Sequence, residues 1–179
     1  TPVNTAQMPD TGETEVSKTA ESVTRYQLDT SGNYKFVPYK KNMLICGKDS
    51  IRAVTEKGKE LWNHAIAVDI PIVSASDAGV LVSGRGSNIL TVIDNGDVLF
   101  DLALEAPLIY ANINESGYIV TILDQKGYKG GVTVYSPEGV VLFKTLSGSA
   151  NILDAKLSPN GKILAVVTLD ITSGNAGAG

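Results

Sequence analysis

From Tyr34 onward, short apolar runs alternate with small polar breaks. The runs include "NMLICG", "SIRAVT", "ELWNHAI", "GVLVSG", "NILTVI", "GYIVTIL", "GVTVYS" and "KILAVVTL", rich in Val, Ile, Leu and Tyr. They are too short for helices and carry many β-branched side chains, so strands are predicted. Several are apolar at consecutive positions, as in strands covered on both faces. The breaks hold Gly, Asn, Asp and Ser, the residues that tight turns use. No helix is predicted in this region, and the class is all-β. Residues 1–33 differ: Thr, Ser, Glu, Asp and Gly dominate and the apolar residues stand isolated. Such a segment cannot bury enough surface to offset the entropy of ordering it, so a polar, disordered tether is expected.

The turns set the register. The stretches "EKGKELW", "DNGDVLF" and "PEGVVLF" align on Gly58, Gly96 and Gly139, which are 38 and 43 residues apart. A second set, Gly79, Gly117 and Gly161, is spaced 38 and 44 residues. Two landmarks with one period of about 40 residues, with room for four strands in each, mark a β-propeller of four-stranded antiparallel blades. The first set is read as the hairpin turn between the third and fourth strands, where Gly permits a positive φ. Blades are expected at about 34–67, 69–105 and 106–149, with a half-blade at 150–171 and a loop or truncated end at 172–179. Closed propellers have about four to eight blades, so three and a half do not make a ring. The chain is therefore read as a fragment of a larger propeller, with completion by another copy as the alternative.

Composition narrows the partners. A net charge of −4 and a pI near 5.0 argue against a phosphate-backbone partner, and no Lys/Arg cluster is interleaved with aromatics. Nucleic acid is excluded on that ground. Cys46 is the one cysteine, so no intrachain disulfide forms. No apolar run reaches the length of a membrane span. The chain opens on Thr1 without a charged-then-apolar leader, so any address would lie upstream.

Candidate chemistry is sparse. His64 is the only histidine and falls on a predicted outer strand, where a surface or inter-blade position is expected rather than a catalytic base. Cys46, within "LICG", is expected to be inert core. "DNGD" (Asp94–Asp97) has the start of a calcium loop, and Glu105 stands at its twelfth position. The strand "VLFDLAL" between them cannot wrap oxygens around one ion, so a hairpin turn is the reading. "GKDS" and "GRGSN" contain fragments of phosphate-loop sequence, but no helix follows either. No cofactor and no metal site is predicted. The one feature beyond the repeat is "DQKGYKGG" (Asp124–Gly131), longer than the corresponding "GKDS" and "GRGS" loops. Binding residues concentrate on long loops of rigid scaffolds. Lys126, Tyr128 and Lys129 are therefore the candidate interaction residues.

The stretch "GKDSIRAVTEKGKELW" resembles a repeat of the quinoprotein-type β-propellers. The later combination of a "GYKG" insert with the blade start "SPNGKILA" is similar to a family of uncharacterised Gram-positive (Firmicutes) proteins. Those proteins are anchored by one N-terminal membrane helix and carry a quinoprotein-like propeller outside the cell. The resemblance spans about Met43 to Ile171. It implies an extracytoplasmic location and an aromatic packed between neighbouring blades, at Trp62, Phe100 and Phe143. It supplies no catalytic residue.

The leading expectation is a non-catalytic scaffold, membrane-tethered through a segment outside this chain, that binds a protein or a cell-envelope ligand. The enzyme alternative is a quinone-dependent (PQQ-type) dehydrogenase, whose cofactor sits with calcium in an eight-bladed ring, often beside a vicinal disulfide that a lone cysteine cannot form. A hydrolytic propeller with its catalytic residues in further blades is a third class. An incomplete propeller made alone is expected to self-associate through its open edge.

Overall fold

The computed structural model describes residue 28 and residues 32–170. Most of the expected tether, and the segment 171–179, lie outside the described residues. Within them the chain folds entirely as β-strands and turns. Three four-stranded antiparallel sheets follow one another: β1 (Lys35–Tyr39), β2 (Asn42–Cys46), β3 (Ser50–Val54) and β4 (Glu60–Ala65); β5 (Pro71–Ser76), β6 (Gly79–Gly84), β7 (Ile89–Asp94) and β8 (Asp97–Ala103); β9 (Leu108–Ile113), β10 (Ile119–Leu123), β11 (Gly130–Tyr135) and β12 (Val141–Ser147). A two-stranded sheet, β13 (Asn151–Leu157) with β14 (Leu164–Leu169), comes last. This is an all-β propeller architecture with about three and a half blades present.

The glycine landmarks sit where the turns need them. Gly58, Gly96 and Gly139 join third to fourth strands with φ of 79, 96 and 80°, a region that L side chains rarely adopt. The other set, Gly79, Gly117 and Gly161, lies at the turns from first to second strand.

The core lies between the blades, not within them. Val80 and Val82 of β6 pack with Leu44, Cys46 and Ile51 of the first blade, while Leu81 joins Leu108 and Ile119 of the third. In β10, Ile119 and Leu123 face back toward the second blade, and Val120 and Ile122 face forward onto Ile152 and Ala155 of β13. Alternate side chains of one strand thus feed two separate cores. That explains the unbroken apolar runs: every residue of β6 and of β10 is buried. Each such Val, Leu or Ile contributes about 1.5–3 kcal/mol relative to exposure, so both faces of a blade are needed for stability.

A β-bulge recurs in all three complete blades just after the turn from third to fourth strand. Ala53 pairs with Trp62 and Val54 with Glu60, leaving Leu61 as the extra residue. Val92 pairs with Phe100 and Ile93 with Val98, leaving out Leu99. Val134 pairs with Phe143 and Tyr135 with Val141, leaving out Leu142. One extra residue reverses the alternation of the strand. The bulge therefore sets which face of the outer strand the aromatic occupies, while Leu61, Leu99 and Leu142 are exposed.

Strand alternation also sorts the connections. Turns between strands one and two, and three and four, share one face of the array. Loops between strands two and three, and the links between blades, share the other.

Candidate binding rim

The face of blade links carries three comparable loops between second and third strands: Gly47–Asp49, Arg85–Asn88 and 124–129. The third is the longest, and the backbone holds it at both ends. Asp124 N–H donates to the carbonyl of Pro107 at 2.8 Å, and Lys129 N–H donates to Ser147 at 2.7 Å. Between them Tyr128 N–H closes a turn on Gln125 C=O at 3.0 Å. Gly127 takes φ 84° at the tip, with open space where a Cβ would stand. The glycines that follow serve packing: a Cβ on Gly131 would meet Leu146 at 2.9 Å, and one on Gly130 would meet Ile152 at 3.3 Å.

This anchored loop presents Lys126 and Lys129, both exposed, and the half-exposed Tyr128 ring. Beneath them the side-chain oxygen of Gln125 is buried with no hydrogen-bond partner. A phenol and two lysine side chains exposed on one short loop suit anionic or carboxylate-rich ligands through charge-assisted hydrogen bonds.

The remaining candidates sit elsewhere. Cys46 is buried in the core between the first two blades, and burial pushes its thiol up to about 12. At neutral pH it carries no thiolate. His64, on β4, is half-buried and lines an inter-blade cavity of about 250 Å³ with Val82, Ser83, Ser87, Ile89 and Thr91. Those neighbours supply no carboxylate to orient an imidazole. Among the described residues no three His, Cys, Asp or Glu side chains gather as metal ligands.

Asp94, at the head of the "DNGD" turn, is engaged in joining blades. Tyr39 donates its hydroxyl to Asp94 Oδ1 at 2.7 Å, and Lys40 Nζ reaches the same oxygen at 3.1 Å. The tyrosine hydrogen bond first, and Lys40 after it, hold the Asp94 carboxyl below the usual carboxylate range. Asn114 does similar work one blade on. Its Nδ2 donates to Ser158 C=O at 2.7 Å, and its Oδ1 accepts from Tyr118 N–H at 2.9 Å. Neither clamp was visible in the sequence, because each joins residues that belong to different repeats.

Trp62 and Phe100 rest on the turn glycine of the following blade. A Cβ placed on Gly96 would come within 2.8 Å of Trp62 Cβ, and one on Gly139 within 3.2 Å of Phe100 Cε2. Phe143 stands at the same register but is 48 % exposed. Within the described residues no further turn of this kind follows to cover it.

A sequence model described as a family of unknown function, DUF5711, matches residues 13–178. The chain belongs to the DUF5711 family. No curated protein matches the sequence. Solved structures share the fold. Hsv2p of Kluyveromyces lactis superposes with a TM-score of 0.60 at 18% identity, over 82% of this chain and 49% of that one. BBS1N, solved in complex with ARL6DN, gives 0.54 at 14% identity, over 71% and 43%. A protein of unknown function from Bacteroides caccae gives 0.50 at 20% identity, over 83% and 60%. The DUF5711 chain thus spans about half the length of these relatives in fold. Identities this low speak to the propeller fold and not to activity. Among the described residues of the DUF5711 chain, no helix is long and apolar enough to cross a membrane.

Proposed function

We propose that this DUF5711 propeller is a non-catalytic scaffold that binds an anionic protein or cell-envelope ligand through the 124–129 rim. The observation that carries the reading is the anchored loop itself: two exposed lysines and a half-exposed tyrosine on the longest loop between second and third strands. A rigid blade edge that holds a short, cationic and aromatic loop needs little ordering on binding, which favours recognition. The inert Cys46 and the unoriented His64 are consistent with a role that needs no nucleophile. The resemblance to tethered quinoprotein-like propellers of Gram-positive bacteria supports display outside the cytoplasm from a membrane anchor. A structure in this fold class, BBS1N, was solved in complex with another protein, ARL6DN, which makes protein binding a natural use of the surface.

The test is co-sedimentation of the chain with a Gram-positive cell-envelope fraction, with and without the triple substitution Lys126→Ala, Tyr128→Ala, Lys129→Ala. Binding that falls with the triple variant and with added salt supports the rim. Undiminished binding by the variant places recognition elsewhere. Protease accessibility of the propeller on intact cells tests the location.

A further inference from the structure

The interfaces that join the first blade to the second and the second to the third differ at one corner. Between the second and third, Leu102 of β8 and Leu123, the last residue of β10, pack into the core. Between the first and second, the same places in the repeat hold His64 of β4 and Gly84, the last residue of β6. The register shows the equivalence: His64 pairs with the fully buried Ile51 as Leu102 pairs with the fully buried Leu90. Two leucines close the later interface at this corner. The earlier one keeps the cavity of about 250 Å³, with an imidazole in its wall. Among the described residues that imidazole has no hydrogen-bond partner.

The polar atoms of the wall select a ligand. Ser83 and Ser87 each donate a hydroxyl proton to the Ile89 carbonyl, at 2.6 and 2.9 Å. Thr91 donates its proton to Asp101 Oδ1 at 2.6 Å. A carbonyl and a carboxylate only accept, so all three protons are committed. The hydroxyls of the wall have only lone pairs left to offer, and the Asp101 charge stands directly behind Thr91. Ile66, Val68, Val82 and Ile89 supply apolar wall.

We propose that this cavity binds a primary ammonium on a short aliphatic chain, carried by a free amine or by a lysine side chain. Its acceptors are the Thr91 and Ser87 hydroxyl oxygens and the His64 imidazole, and Asp101 balances its charge through Thr91. The methylenes lie against Ile66, Val68 and Val82. A buried ammonium needs such partners, because an unpaired charge is costly to desolvate. An anion finds no free hydroxyl proton here and meets the Asp101 charge. The site belongs to the first two blades and rests on no part of the 124–129 rim.

The test is a nuclear magnetic resonance titration of the full chain with n-butylammonium at constant ionic strength. It is read at the ring protons of His64, the only histidine. The expected result is a saturable shift with a Kd of about 1–10 mM. Neutral n-butanol binds at least about tenfold more weakly, and butyrate gives no shift. Asp101→Asn, at an exposed side chain, weakens butylammonium by about three- to tenfold and leaves butanol unchanged. His64→Leu puts the residue type of the later interface into the cavity. It removes binding, read on the ligand's own signals, while Tm stays level or rises. No saturable shift overturns the proposal, as does an unchanged affinity in Asp101→Asn or binding that survives His64→Leu. Equal affinity for butanol and butylammonium overturns it in favour of a merely apolar cavity. Nα-acetyl-lysine methylamide brings the same ammonium on a peptide backbone. Affinity equal to that of butylammonium assigns the site to a lysine side chain, and affinity about tenfold lower assigns it to a free amine; both uphold the ammonium site.

Discussion

Gly96→Ala isolates the contact that seats one blade on the next. Gly96 combines a φ of 96° with a Trp62 Cβ only 2.8 Å from where its own Cβ would stand. Gly127 has a φ of 84° and nothing within 4 Å. Both substitutions carry the left-handed backbone term of about 1–2 kcal/mol, partly offset by the stiffer unfolded chain. Only Gly96→Ala also forces two β-carbons together, and a Cβ cannot swing away as a ring can. That term is expected at about 1–3 kcal/mol, the usual cost of overpacking. The difference between the two variants cancels the shared backbone and unfolded-state contributions, leaving the contact alone. Urea unfolding followed by tryptophan emission measures it directly, because Trp62 is the only tryptophan. With a urea dependence of about 1–3 kcal/mol per molar, the Gly96→Ala midpoint should lie about 1 M below that of Gly127→Ala. Gly139→Ala should fall between them, since its neighbour at 3.2 Å is the far edge of the Phe100 ring. Coincident midpoints for Gly96→Ala and Gly127→Ala would refute the claim that Trp62 is seated on that turn.

Three further outcomes follow from the inter-blade contacts. With its thiol pushed up to about 12 by burial, Cys46 should resist thiol reagents at mildly alkaline pH in the folded chain and react once denatured; rapid labelling of the native protein would contradict its place in the core. The folded Asp94 carboxyl is depressed, so its contribution is present above the unfolded carboxylate range and is lost as pH falls through the folded value. Asp94 and Lys40 are both about one-third exposed, so screening limits the pair to about 1 kcal/mol or less. Asp94→Asn should flatten that part of the stability–pH profile, and an unchanged profile would remove Asp94 from the clamp. Asn114→Ala removes the acceptor of the Tyr118 and Ser116 N–H groups and one of the two hydrogen bonds to the Ser158 carbonyl, which keeps Gly161 N–H, and should destabilise by about 1–3 kcal/mol in denaturant titration; a neutral result would mean that the third and fourth units are not locked there.

The strands, the turns and the repeat were legible in the sequence because their causes are local. A run such as "GVLVSG" has β-branched and apolar residues at neighbouring positions, and a turn such as "DNGD" needs a glycine at positive φ whatever surrounds it. The repeat of two glycine landmarks multiplied that local signal into a fold class. The 124–129 rim was legible only as excess length; its ties to Pro107 and Ser147, and the orphaned Gln125 oxygen beneath it, were not. Tertiary structure alone decided which side of β6 meets which blade, and where Leu61, Leu99 and Leu142 are squeezed out as bulges. It also decided that Asp94 serves Tyr39 and Lys40, and that Trp62 and Phe100 are each capped by the turn glycine of the following blade. These contacts join residues some 35 to 55 positions apart. Their energies depend on the distance between two sheets, a quantity that residues adjacent in sequence do not encode.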